Sequence, residues 1–273
     1  MTTNMITDTV PAANASAAAS RTFYAWMAAA CLGIAVLGFM PTYFVPISLG
    51  TFRAEPVVHI HGIVLFSWVL FFFVQAWLVA RGRVLAHRTW GVLGIAIVTA
   101  MVFIVTTIVS LRIAQTSSPG QPAGLVRDVR AFQWMNMVNL AFIVAVFTLG
   151  IVNVRRPEVH KRLMLLMTIS MMGAPIARWF QTVLAPPHGP PVGAPSGLPQ
   201  ISVPPVFVTV PPALVGDLLL VVAMLYDWRT RGRPHFVYVI GGVVMVAMQV
   251  TAVPISASAA WQSVAAALGH LAG

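Results

Sequence analysis

The feature that most constrains this chain is a series of apolar runs, each long enough to cross a lipid bilayer. The run from Val57 to Ala80 contains no charged residue, and an Arg-rich turn links it to the next apolar run. A helix needs about 20 apolar residues to cross a hydrocarbon core roughly 30 Å thick. The repetition of such runs predicts a bundle of membrane-spanning helices.

The composition agrees with a membrane protein. Of the 273 residues, 59% are hydrophobic and 8% are charged, whereas soluble domains carry about 25% charged residues. The net charge of +10 does not indicate a nucleic-acid partner, because the basic residues lie at the ends of apolar runs, where membrane topology accounts for them. The lipid bilayer is the predicted partner. The single cysteine, Cys31, excludes an intrachain disulfide and an all-cysteine metal site.

We predict an all-α fold of about seven transmembrane helices, arranged as one N-terminal span followed by three antiparallel helical hairpins. The predicted spans are residues 23–47, 57–80, 89–113, 131–154, 160–184, 213–228 and 235–255. By domain, we expect a disordered tail over residues 1–20, a transmembrane domain over 21–256 with a Pro-rich outer loop at 185–212, and a short interfacial segment at 257–273.

The basic residues also predict an orientation. Most of them lie in the turns after the second, fourth and sixth spans: Arg81, Arg83, Arg88, Arg155, Arg156, Lys161, Arg162, Arg229, Arg231 and Arg233. Cytoplasmic loops carry an excess of Lys and Arg. We therefore expect the N-terminus inside and the C-terminus outside.

Several polar side chains lie within the apolar runs, where a charged group costs about 2.5–3.5 kcal/mol and is usually paired. Helix rise places most of them in the outer half of the membrane. The candidate ligand-binding residues are His61, Gln75, Asn136, Asn139, Arg178, Asp217 and Gln249. We expect Arg178 to pair with Asp217. The alternative is that Arg178 reaches the headgroups while a Gln or Asn satisfies Asp217.

Histidines supply the candidates for a metal or haem site, namely His61, His87, His160 and His235. The last three begin outward-running helices at Arg-rich turns, and a neutral imidazole there suits a metal ligand or an interfacial hydrogen bond equally. A cytochrome-b-type haem needs two histidines that face each other across helices at one depth. Only His61 lies inside a span in the outer half, and this spacing argues against haem. The sequence does not decide which cofactor, if any, the chain binds.

The segments GRVLAHRTWG, RRPEVHKRLMLLM and DWRTRGRPHFVYVIGG carry a resemblance. In them the chain resembles a group of uncharacterised bacterial multi-pass membrane proteins whose inner turns are rich in Arg and His. The resemblance covers most of the second to seventh spans. It implies a bacterial inner-membrane (cytoplasmic-membrane) protein and brings no established activity.

The leading functional hypothesis is a binding protein or transporter for a small molecule or ion that enters from the outer side. His61, Asn136, Arg178 and Asp217 would line its pocket. The alternatives are a haem- or metal-binding redox protein of cytochrome-b type and a structural or assembly subunit. No nucleophile or acid–base motif indicates an enzyme. The ligand and the oligomeric state stay open.

Overall fold

The computed structural model describes residues 9–117, 120–182 and 203–272, with side chains from residue 19 onward. Every regular element in these ranges is a helix, which confirms the all-α prediction. The α-helices are α1 (Thr9–Phe39), α2 (Val45–Ser48), α3 (Pro56–Ala80), α4 (Val84–Thr116), α5 (Ala123–Val152), α6 (Pro157–Ser170), α7 (Gly173–Thr182), α8 (Val210–Arg231), α9 (Phe236–Val250), α10 (Ala252–Ser256) and α11 (Ala259–Gly269). A π-helix, Met40–Phe44, joins α1 to α2, and a 3₁₀-helix, Val206–Thr209, precedes α8.

Six helical segments of the described chain have the length and composition of membrane spans. They are Ala19–Ser48, Pro56–Ala80, Val84–Thr116, Ala123–Val152, Pro157–Thr182 and Val206–Arg231. The chain therefore has the architecture of a multi-pass membrane bundle. The seventh predicted span corresponds to α9, a shorter apolar helix of 15 residues, which α10 continues after Thr251.

The described elements differ from the predicted ones at the start of α1 and in the fifth span. Helix α1 begins at Thr9, within the segment predicted to be a disordered tail. The fifth predicted span is divided into α6 and α7, because Pro175 has no N–H and its ring would clash with the carbonyl group of Met171 in a continuous helix. The predicted Pro-rich loop falls largely in residues 183–202, outside the described residues.

Helix α6 is the centre of the bundle. Every residue from Arg162 to Ile169 is buried, and the helix contacts α1, α3, α5, α8 and α9. A helix that is apolar on all sides is expected in the interior of a large bundle. The side chains that α6 carries are therefore held by neighbours on every side.

The outer surface of the bundle is apolar as well. Large side chains on α4 and α9 are more than half exposed, among them Leu85, Val92, Phe103, Ile240 and Val243. Monomeric soluble proteins rarely expose such extended apolar surface. These faces are suited to contact lipid.

The last helix, α11, lies in the segment predicted to be interfacial, and it packs across the ends of α4 and α5. Trp261 and Ala265 are buried against Val109 and Ile113 of α4. The indole N–H of Trp261 donates to the carbonyl oxygen of Arg130 at 2.7 Å. Val264 of the same helix is 53% exposed.

Candidate functional site

A buried ion pair joins α6 to α8. Arg162 donates from Nε to Oδ2 of Asp227 at 2.8 Å and from Nη2 to Oδ1. Both side chains are almost completely buried. From the sequence alone, membrane topology accounts for Arg162 as one of the basic residues of an inner turn. One feature of the sequence could have indicated its role. Arg162 lies within the apolar run of α6, one turn after Glu158, whose carboxylate can neutralise it.

Glu158 extends this pair into a network. Its Oε1 accepts from Lys161 Nζ at 2.6 Å, and its Oε2 accepts from Arg162 Nη1 at 2.7 Å and from Arg231. Beside the network, the hydroxyl groups of Tyr24 and Tyr238 share a hydrogen bond of 3.1 Å. The charged groups of this network are paired with one another. With the tyrosine pair, the network joins α1, α6, α8 and α9.

His235 lies in the turn between α8 and α9 and belongs to the same network. Its main-chain N–H donates to Asp227 Oδ2 at 3.3 Å, while its ring Nδ1 accepts from the N–H of Val237 at 3.3 Å. Burial first, and then the guanidinium groups of Arg162 and Arg231, lower the pKa of the His235 imidazole. A neutral ring fits its role as acceptor at the start of α9.

Two of the four candidate metal-binding histidines come together. His87 in the first turn of α4 and His160 in the first turn of α6 have ring centroids 6.3 Å apart. The structure therefore brings together two of the histidines that the sequence places in separate Arg-rich turns. His61 and His235 lie elsewhere, and the described residues contain no group of three or more His, Cys, Asp or Glu suited to a metal ion.

Gln75 is buried on α3, on the same interior face as Trp68. The ring of His87 lies against its main chain, so Gln75 belongs with the histidine pair and not with His61. Both polar atoms of its carboxamide are buried and have no hydrogen-bond partner among the described residues. His61 lies near the start of α3 and Gln75 near its end, so the two residues lie at opposite ends of the helix.

The remaining predicted ligand-binding residues have hydrogen-bond partners of their own in the described chain. Asn136 donates to Gln133 on its own helix at 2.7 Å, and Asn139 donates to the carbonyl oxygen of Ser170 at 3.3 Å. The predicted Arg178–Asp217 ion pair is wrong, because Asp217 accepts a hydrogen bond of 2.8 Å from Gln249 instead. The alternative, a carboxamide that satisfies Asp217, is what the structure has.

A second polar group forms where the π-helix, α3 and α7 meet; we call it the π-helix corner, and it comprises Thr42, Tyr43, His59, His61 and Arg178. Pro46 has no N–H to donate to a carbonyl group one turn earlier, and the chain widens here so that Val45 donates to Met40 O. Single-turn π-helices inside longer helices occur frequently at functional sites.

Arg178 is the charged member of the π-helix corner. Its Nη1 donates to Gln181 at 3.2 Å, and its guanidinium lies 5.7 Å from the centroid of the Phe39 ring. It is close enough to His61 for their charges to interact. In the described chain, no carboxylate lies within ion-pair distance of it.

Two polar atoms of the π-helix corner are buried without a partner in the described chain, Nδ1 of His61 and Oγ1 of Thr42. His59 is engaged instead, because its Nδ1 and the Tyr43 hydroxyl share a hydrogen bond of 2.9 Å. The corner therefore combines one cation with hydrogen-bonding groups that have no partner in the described chain. This combination is typical of an anion-binding site.

No known protein family matches the chain, and neither a curated protein nor a solved structure is significantly similar to it. The class that the fold supports is a multi-pass helical membrane protein.

Proposed function

We propose that the chain is a bacterial inner-membrane protein that binds a small oxyanion, a carboxylate or a phosphate, at the π-helix corner. The observation that carries this proposal is Arg178. It is a half-buried cation in a membrane-spanning segment, it has no carboxylate partner in the described chain, and it lies beside His61. A charge in that position is costly when it is unpaired, and a bound anion offsets the cost.

The chemistry of the corner suits an oxyanion. A guanidinium presents several N–H groups in one plane and matches carboxylate or phosphate oxygens in a bidentate manner. His61 Nδ1 and Thr42 Oγ1 add two partners for the remaining oxygens. Asp217 is not assigned to this site, because its carboxylate accepts a hydrogen bond from Gln249 at 2.8 Å.

The topology that goes with this proposal has seven spans, with α9 and α10 together forming the last. Contacts between α3 and α4, between α5 and α6 and between α8 and α9 support the three hairpins. With the Arg-rich turns inside, the π-helix corner faces the outer side. Binding from that side is the first step that a transporter of such an anion needs.

The test is anion-dependent stabilisation of the purified protein. In neutral detergent, sodium phosphate and sodium succinate are titrated in turn while the thermal unfolding midpoint is recorded. We expect the midpoint of the wild type to rise with at least one of the two anions, since a ligand that binds only the folded state stabilises it. Arg178→Gln removes the cation and abolishes the rise.

The matched control is Arg53→Gln, an exposed arginine outside the described ion pairs. It retains the full rise. Because a lipid headgroup has the same chemistry as a free phosphate, the titration is repeated in nanodiscs with and without phosphatidylglycerol. A rise that only the anionic lipid produces identifies a headgroup as the ligand. An equal response of the wild type and Arg178→Gln contradicts the proposal.

A further inference from the structure

The pair formed by His87 and His160 has no role in the anion site, and it lies at the other end of α3 from His61. We propose that these two side chains are imidazole ligands of a divalent transition-metal ion bound between α4 and α6. Imidazole is a common ligand of zinc, copper and nickel. The inference does not depend on the proposed anion site.

The separation of the two rings fits a shared ion. Their centroids are 6.3 Å apart and their planes are inclined by 76°. A ring nitrogen lies roughly 1 Å from the ring centre, so two nitrogens turned toward each other would be separated by roughly 4 Å, which is the upper limit for two ligands that share one ion through bonds of about 2.0–2.1 Å. Both histidines occupy the first turn of their helices, which brings the rings to one end of the bundle.

Hydrogen bonding leaves the correct nitrogen of His160 free. Its Nδ1 bonds the carbonyl oxygen of Gly150 at 2.9 Å, so Nδ1 carries the proton and Nε2 carries the lone pair. Metal-bound histidines usually hold their second nitrogen in this way. The Nδ1 of His87 is buried and has no hydrogen-bond partner in the described chain, while its ring interacts with the main chain of Gln75.

The surroundings favour an ion over a macrocycle such as haem. Helices α5 and α6 touch beside His160, where a Cβ added to Gly150 would overlap the methyl group of Met164. On the other side, the His87 ring lies against the main chain of Gln75, whose buried carboxamide has no partner among the described residues. That carboxamide and water are suited to complete the coordination of a small ion.

The test uses the full chain, purified in detergent with a tag that contains no histidine. Cobalt(II) is titrated into the protein and followed by its visible d–d bands, and zinc(II) is then added to displace it. We expect one cobalt ion per chain. The substitutions His87→Asn and His160→Asn each weaken cobalt binding at least about tenfold, since even groups that only support a ligand account for about 10–100-fold in metal affinity.

Two controls make the outcome decisive. His59→Asn removes a histidine that is bonded to Tyr43 at the opposite end of α3, and it binds cobalt like the wild type. The thermal unfolding midpoint of each metal-free variant is recorded as well, so that a loss of cobalt binding is distinguished from a loss of the fold. The proposal is overturned if the wild type binds no cobalt, if both ligand variants bind it normally, or if the protein is purified with a Soret band.

Discussion

At the scale of single residues, the stability of the fold depends on the ion pair between Arg162 and Asp227. Asp227 is 0% exposed and Arg162 is 1% exposed. In Asp227→Asn the Arg162 charge keeps Glu158 but loses its buried partner. Removing one member of a buried pair costs about 3–5 kcal/mol. We expect the free energy of unfolding to fall by that amount, measured by reversible titration with denaturing detergent.

A surface pair provides the comparison. Asp128 lies 4.0 Å from Arg127, and both side chains are well exposed. Exposed pairs contribute little, so Asp128→Asn leaves the free energy of unfolding within about 0.5 kcal/mol of the wild type. If Asp227→Asn behaves like Asp128→Asn, the buried pair gives no net stability and the bundle is held by its apolar contacts alone.

Single residues also show which features of the candidate site the sequence predicts and which it does not. His61, Arg178 and Asp217 were recognisable as embedded polar groups, because each interrupts an apolar run. Their partners were not recognisable, since α7 and α9 both pack against α8 and the choice between Arg178 and Gln249 depends on which of them the Asp217 side chain faces. The Arg162–Asp227 pair was missed for a related reason: a basic residue near a turn is fully explained by topology until its neighbours are known.

At the scale of helices, the close approach of α1 to α7 depends on one glycine. A Cβ at Gly38 would lie 2.5 Å from the carbonyl oxygen of Pro175 and 2.7 Å from its carbonyl carbon. Main-chain atoms cannot move aside as a flexible side chain can. We therefore expect Gly38→Ala to lower the free energy of unfolding by about 1–3 kcal/mol, as overpacking does, in the same denaturing-detergent titration.

Gly33 of the same helix is the matched control, because a Cβ added there meets nothing within 4 Å. Alanine is a better helix former than glycine, so Gly33→Ala leaves the stability unchanged or raises it by up to about 1 kcal/mol. Equal effects of the two substitutions would show that helix propensity, and not the contact between α1 and Pro175, decides the outcome.

The helices themselves were largely predictable. The lengths of the apolar runs in the sequence predicted the six long segments, since a span needs about 20 apolar residues. The division of the fifth span was visible as Pro175 but was not predicted, because membrane helices often tolerate proline. The contact between Gly38 and Pro175 was beyond the sequence, because it depends on how two distant helices cross.

At the scale of the whole molecule, the number of crossings depends on α9 and α10. Helix α9 has 15 residues and is roughly 22 Å long, which is less than the roughly 30 Å of a hydrocarbon core. The segment from Phe236 to Ser256, with a bend at Thr251, is roughly 30 Å long. Its large apolar side chains are exposed, as on the lipid face of α4. We therefore expect this segment to cross as one span.

Labelling with a membrane-impermeant maleimide tests this crossing in the intact protein. Native Cys31 is completely buried and contributes no background. Arg233→Cys and Leu271→Cys place exposed thiols before α9 and after α11. If the segment crosses, with the Arg-rich turn inside, Leu271→Cys is labelled in intact spheroplasts and Arg233→Cys only after lysis. Labelling of both only after lysis would mean six crossings, with α9 and α10 returning to the inner side, and the converse pattern would reverse the orientation.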